Sequence, residues 1–289
     1  MKIARFLNSR LFELITLVMF RTLAYFAVSL FILLIGTMIF KGIDTVHFSF
    51  LYKASTGAGY SGGVRYQILG TLILVLSGSL ITVPFSVPYA LLYCRYSKNE
   101  KLRGGFLLIL HLLNSTPSII FGVLGYLLFY KAFGWQKSWL SGGFVLATMM
   151  LPTVTNSLIE RIKTIPREYM DGAKAMGFNE DHLVTAVLLP YAWGGLLTGL
   201  VLGVARAAGE TAPILFTAAV FSGATIPNGV VDNPVLALPY HIFNLAQDVH
   251  GHGGMQAAWA TAVVLTLLTA TLSLVASPFR ARSHEEAKA

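Results

Sequence analysis

Long apolar runs separated by short polar stretches dominate the pattern of this 289-residue chain. Six runs of about 20 residues carry few charges, which is the length a helix needs to cross a bilayer. They lie near residues 22–40, 68–93, 106–130, 142–159, 194–221 and 257–278. The chain therefore reads as an all-α integral membrane protein with six transmembrane helices. It forms one membrane domain over 22–279, with an N-terminal segment 1–21 and a tail 280–289. The basic start and first apolar run resemble a signal peptide, but the run is long. Residues 35–44 offer no small-x-small cleavage site, so a retained first span is expected.

Two spans carry helix breakers. Span two contains Pro84 and Pro88, and span five contains Gly209, Glu210 and Pro213. Both spans are expected to be discontinuous, because a proline ring crowds the carbonyl four residues back and offers it no N–H. In span five the kinked or unwound stretch is expected at 209–213. The loop 41–67 is rich in Gly and Ser and reads as irregular. The segment 223–256 carries Pro227, Pro234 and Pro239 and leaves room for a short helix over 238–247, as a re-entrant lid. The longest polar insertion between spans is 161–190. Within it 167–176 and 182–189 read as helical, split at Gly177, and Pro190 is expected to stop or kink the chain before span five. Such an amphipathic insertion suits docking of a soluble partner.

Composition agrees: 55% of residues are hydrophobic, 12% are charged and the mean hydropathy is +0.67. A soluble domain is typically about 25% charged. The net charge of +8 reflects topology rather than nucleic acid. Lys2, Arg5, Arg10, Arg21, Arg95, Lys98, Lys101, Arg103, Arg161, Lys163, Arg167, Lys174, Arg280, Arg282 and Lys288 all fall on one side of the six spans. Only Lys41, Lys53, Arg65, Lys131 and Lys137 fall on the other. Lys and Arg gather on the cytoplasmic side, so both termini are expected there. The single cysteine, Cys94, rules out an internal disulfide framework or cysteine metal site.

The most informative chemistry is in span five. Arg206 and Glu210 lie four residues apart, on one face of a helix. Each ionisable group inside a bilayer costs roughly 2.5–3.5 kcal/mol on insertion scales and commonly marks an ion or substrate path. The pair coincides with the expected helix break, and interrupted helices beside intramembrane charges recur at transport sites. Thr211 and the Gly209 carbonyl are further polar candidates. The chain carries no G-x-x-x-x-G-K-[ST] loop, so it cannot hydrolyse ATP by that machinery. Gly59-Tyr-Ser-Gly62 matches the G-x-S-G of rhomboid proteases, but Ser61 lies in an external loop rather than at a helix start. His241, His250 and His252 could gather a metal externally, although histidines in a Gly-rich loop are usually just solvated. His111 reads as a satisfied interior histidine, and Trp135, Trp139 and Trp259 as interfacial anchors.

Two motifs resemble a known family. Asp171-Gly-Ala-Lys-Ala-Met-Gly177, followed after nine residues by Val187-Leu-Leu-Pro190, resembles the EAA loop of bacterial ABC importer permeases. Asp171 stands for the Glu, Gly172 for an Ala and Val187 for the Ile of that pattern; Ala173, Gly177, Leu189 and Pro190 match. Ala205-Arg-Ala-Ala-Gly-Glu-Thr-Ala-Pro-Ile-Leu-Phe-Thr-Ala218 is similar to a signature of phosphate permeases in that family. Ala212 and Pro213 favour one of its two sister subunits. Gly62-Gly63, Gly70-Thr71-Leu72 and Pro117-Ser-Ile-Ile-Phe-Gly-Val-Leu-Gly125 add weaker similarity, over roughly 60–280 in all. The resemblance implies a six-span type I importer permease fold and a second, sister permease subunit. It also implies a dimeric cytoplasmic ATPase that binds ATP and Mg, and an external phosphate-binding protein. No cofactor is expected on this chain itself, and nucleic acid is not an expected partner. Asp171, Gly172, Ala173, Lys174, Met176, Gly177, Phe178 and Pro190 are then the expected ATPase-coupling residues, with Met176 and Phe178 as apolar anchors. Arg206, Glu210, Thr211, Gly209 and Pro213 are the expected substrate-path residues. The competing readings are a permease for molybdate, sulfate or phosphonate, a stand-alone channel or secondary carrier, and an intramembrane enzyme.

Overall fold

The computed structural model describes residues 2–97, 99–247 and 254–285. The described chain is helical apart from loops and one two-residue hairpin. In order come α1 (Lys2–Gly42), α2 (Phe48–Tyr52), β1 (Ser55–Thr56) paired antiparallel with β2 (Ser61–Gly62), and α3 (Arg65–Leu91). Then come α4 (Glu100–Ser115), α5 (Ser118–Gly125), α6 (Trp139–Lys163), α7 (Arg167–Ala175) and α8 (Glu180–Leu183). The chain ends with α9 (Leu189–Ala207), α10 (Ala212–Thr217), α11 (Leu238–Gln247) and α12 (Gly254–Glu285). Five stretches are long and apolar enough to cross a membrane, and α4 with the α5 segment makes a sixth if that bent pair is one span.

The centre is a three-helix stack of α3, α6 and α9, held by small residues. Lipid tails are as apolar as leucine, so membrane helices associate by close packing rather than by a hydrophobic drive. Gly195, Gly199 and Gly203 recur every four residues along one face of α9. A Cβ on Gly195 would come 2.8 Å from the Ser157 carbonyl oxygen, and one on Gly199 would come 2.7 Å from the Val154 Cα. Between α3 and α6, the Thr82 hydroxyl donates to the Gly78 carbonyl of its own helix at 2.7 Å and lies 3.3 Å from the Ala147 carbonyl. Leu74, Leu146, Met150, Val154, Leu158 and Ile159 fill the buried seam.

Proline behaves differently from the sequence expectation in three places. Span two does not break: α3 runs continuously through Pro84 and Pro88 and relaxes only afterwards, into a wide π turn at Leu92–Tyr96. Pro190 does not stop the chain either. It sits in the first turn of α9 directly after a wide turn at Val184–Leu188, and Glu180–Ala207 runs as one span. A π-widened turn moves the carbonyl that a proline ring would strike in a regular helix. Span three, expected whole, bends by 95° between α4 and the segment Ser118–Ala132. The cause is Pro117, which pushes the preceding Thr116 out of helical geometry to ψ 128°.

The first span also differs. The helix α1 begins at Lys2, so residues 2–21 belong to the same helix as the span, and the stretch apolar enough to cross a membrane starts at Phe12. Its apolar window is wholly unburied within this chain. It touches the rest near its end, where Gly42 abuts the Trp259 carbonyl and Val263 of α12. Lys41 lies 5.2 Å from the Trp259 ring centroid.

The expected short helix over 238–247 is present as α11, tucked against α3 and α12. Its first backbone N–H donates to the Thr71 hydroxyl at 2.9 Å. Gly70, one residue earlier, faces the Leu236 carbonyl so closely that no Cβ fits. His241 is buried and stacks on Phe221 at 5.4 Å between centroids. Burial holds its imidazole well below the usual range, at about 4. Trp139, the first residue of α6, donates its indole N–H to the Gly229 carbonyl at 2.9 Å and ties down the 223–235 loop.

Two outcomes follow. Gly70→Ala should destabilise by about 1–3 kcal/mol through overpacking against backbone, read as a lower thermal midpoint of the detergent-solubilised protein. An unchanged midpoint would show that the 236–238 segment gives way. The second concerns pH. The His241 pKa is lowered on folding, so between about 6.5 and about 4 the unfolded chain binds the extra proton. Stability should fall as pH drops through that window, by at most about 3 kcal/mol in total. His241→Gln should flatten this part of the midpoint-versus-pH curve.

Candidate functional site

Two helix breaks meet at one place. α9 ends at Ala207 and α10 begins at Ala212, so the irregular residues are Ala208–Thr211. Pro213, expected inside the break, lies in the first turn of α10, where its missing N–H is least costly. The turn tightens first: the Gly209 and Glu210 N–H groups donate to the Arg206 and Ala207 carbonyls, each at 3.2 Å. Opposite stands the α4–α5 break at Pro117. Gly122 of α5 packs on α10, where a Cβ would come 2.9 Å from the Ala212 carbonyl oxygen and the Pro213 Cα.

The side chains preceding the two breaks join. The Arg206 guanidinium donates from Nη1 to the Asn114 Oδ1 at 3.1 Å. Its Nε lies 3.6 Å from the Glu210 Oε1. The second distance is an ion pair but not a hydrogen bond. The Arg206 side chain is 39% exposed and that of Glu210 19%. His111, expected in the interior, is exposed one turn before Asn114, and Ser115, directly after it, is exposed too. Gly209 is exposed, and Thr211 is half-buried beside it. Among the described residues, most of the five N–H donors of Arg206 have no protein partner. A guanidinium in that state can receive an anion's oxygens in a bidentate fashion.

Sequence reasoning missed Asn114. The signal was an Asn-Ser-Thr triplet directly before Pro117, which puts three polar groups inside an apolar run. The far end of α10 is anchored independently. The Lys137 ammonium donates to the Leu215 and Ala219 carbonyls at 2.8 and 3.1 Å, and burial lowers its pKa. The Ser141 hydroxyl donates to the Thr217 carbonyl at 2.7 Å.

The second group of expected residues lies at the opposite, basic end. α7 is amphipathic and ends where Gly177 takes the left-handed conformation, at φ 82°. Ala173 is buried, whereas Asp171, Gly172, Lys174 and Pro190 are exposed. Met176 is 71% exposed. Phe178 is half-buried: it packs against the core and lies 5.9 Å from the His182 ring. The wide turn after α3 is tied to α8 by an ion pair between Arg95 and Glu180.

Of the three external histidines, His241 is buried as described, and His250 and His252 lie outside the described residues. Ser61 lies in β2, with its hydroxyl 3.1 Å from that of Thr56.

Residues 83–282 match the family described as the binding-protein-dependent transport system inner membrane component. The chain is 28% identical to the probable ABC transporter permease protein YqgI of Bacillus subtilis, over 85% of this chain and 83% of that protein. It is 30% identical to the phosphate transport system permease protein PstA of Haemophilus influenzae, over 82% and 83% respectively. Among solved structures, the MetNI methionine ABC transporter in an inward-facing form superposes with a TM-score of 0.57 at 19% identity. That match covers 76% of this chain and 94% of the other and establishes the fold. The chain belongs to the family of binding-protein-dependent inner membrane transport components and is a multi-pass permease of an ABC importer. Such a permease works with an ATPase and a substrate-binding protein.

Water access at the break is measurable. In a Cys94→Ser background, Gly209→Cys should react with a membrane-impermeant thiol reagent, because an added side chain there meets nothing nearer than the Arg206 carbonyl at 3.8 Å. Gly36→Cys on the apolar face of α1 should not react. Equal protection of both would show that the break is dry.

Proposed function

We propose that this chain is the PstA-type subunit of a phosphate importer, forming half of the path for inorganic phosphate. The site at the two breaks supports this reading: a partly exposed guanidinium, held by one neutral amide and one loosely placed carboxylate, inside the membrane. Phosphate would take the free donors of Arg206, while Glu210 limits the charge left behind when the site is empty. Binding that is favourable yet escapable is what conduction requires. Asn114, Gly209, Thr211 and Pro213 would shape the same stretch.

The partners in this reading are a PstC-like sister permease, a dimeric PstB-like ATPase that alone binds ATP and Mg, and an external PstS-like phosphate-binding protein. The basic end, with α7, faces the cytoplasm of a bacterial cell, so both termini are cytoplasmic. There α7 acts as the coupling lever, with Asp171, Lys174 and Met176 turned toward the ATPase and Gly177 and Pro190 bounding the loop. The exposed charges contribute little to docking, so Met176 carries most of it as an apolar anchor.

Phosphate uptake by the assembled complex tests the path. Arg206→Gln should lower uptake at least tenfold, about 1.4 kcal/mol at the limiting step, with assembly and membrane insertion unchanged. Asn114→Ala should lower it less. Normal uptake by Arg206→Gln in an assembled complex would refute the assignment. Independently, Met176→Asp should weaken co-purification of the ATPase while leaving the permease pair intact.

A further inference from the structure

We infer that the basic end of this chain holds an anionic phospholipid, with its acyl chains in an apolar groove and its headgroup on an adjoining basic pocket. The groove is a cavity of about 580 Å³, within the range of small-molecule sites. It runs between α3 and α9 over a floor of α6, and Val83, Val87, Leu158, Ile162, Trp193 and Leu196 line it. All six belong to membrane-spanning stretches. Space there is filled by hydrocarbon or by protein, since an apolar wall gives water no partners. Thr185 and Pro190, at the end nearest α7 and α8, also line the groove.

The second observation is charge. A separate pocket of about 180 Å³ shares Ile162 with the groove and is lined by Arg95, Arg103 and Lys163. Two nearby carboxylates partly balance these cations: Glu180 pairs with Arg95, and Glu160 lies 3.0 Å from the Lys163 Nζ. Arg103 instead lies 5.1 Å from the centroid of the Tyr93 ring, and Lys163 reaches the same ring at 5.7 Å. No acidic partner is recorded for Arg103 among the described residues. A net positive pocket at the end of an intramembrane groove has the chemistry of an anionic headgroup above its own tails. A zwitterionic headgroup would gain less, because its own ammonium opposes the cluster. The inference is independent of which solute the permease carries.

The test uses the full chain in detergent, with phosphatidylglycerol and phosphatidylcholine added in equal amounts and bound lipid counted by native mass spectrometry. Wild type should retain one phosphatidylglycerol in preference to phosphatidylcholine. The double variant Arg103→Gln, Lys163→Gln should lose that preference, by roughly fivefold for each cation removed. The charge-preserving pair Arg103→Lys, Lys163→Arg should keep it, which separates loss of charge from loss of fold. Equal retention of both lipids by wild type would overturn the proposal. So would a preference that survives the double Gln variant, or one that vanishes when the ATPase binds, since the pocket would then be part of the docking seat.

Discussion

The arrangement turns on one constraint: backbone without helical hydrogen bonds is tolerated at membrane depth only where protein packs on it or water reaches it. Among the described spans the regular helical ladder is interrupted at Thr116–Pro117 and at Ala208–Thr211, and the fold puts these two places together. Gly122 brings α5 against the first turn of α10, so the helices that follow the two breaks pack on each other. The hydrogen bond from Arg206 to Asn114 closes the gap on the exposed side. Lys137 and Ser141 hold the other end of α10 through its last carbonyls. Irregular backbone, polar side chains and partial exposure therefore share one cause, which is why the site lies there and nowhere else in the described spans.

The same architecture joins the two functional regions. Glu180–Ala207 is one unbroken span of 28 residues, or about 42 Å at 1.5 Å per residue. Its first residues follow directly on α7 and Gly177, and its last turn carries Arg206. Its face toward α6 is the row Gly195, Gly199 and Gly203, so the two backbones are nearly in contact and interlock along their length. Under the proposed coupling, a displacement at α7 would pass through the wide turn at Val184–Leu188 into α9, a stiff rod that carries it to the break where the rod ends. The wide turn at Val184–Leu188 and the left-handed Gly177 are where the described chain gives at the α7 end. Ala208–Thr211 is where it gives at the other.

Much of this was legible in the sequence because charge and apolar length are local properties. Arg206, Glu210, the turn at Gly177 and the helix α11 followed from residue type and spacing alone. Proline was the weak point. Its ring excludes a regular helix, but whether the chain breaks, widens by one residue or simply continues depends on what packs nearby. Thus Pro84 and Pro88 sit in an intact α3, Pro190 follows a π turn, and Pro117 makes a 95° bend that its apolar surroundings had hidden. Asn114 was missed, and the burial of one side of Phe178 not foreseen, for a related reason. Which way a side chain faces is decided by neighbours distant in sequence: Asn114 meets Arg206 across 92 positions, and Phe178 turns into the core formed by α3, α6 and α9.

The loose geometry around Arg206 is itself informative. A guanidinium meant only to pin two helices would gain most from a close bidentate carboxylate, because a buried charge is stabilised only when its partner is near and well aligned. Here the carboxylate stands 3.6 Å from Nε, beyond hydrogen-bond reach, and the one short contact goes to a neutral amide. An incoming oxyanion would then displace an amide oxygen rather than break a salt bridge. The amide could turn to donate its N–H₂ to the same ligand. Glu210 stays close enough to favour release by competing for the cation. An arrangement with the carboxylate in contact would hold the helices more firmly and admit an anion less readily.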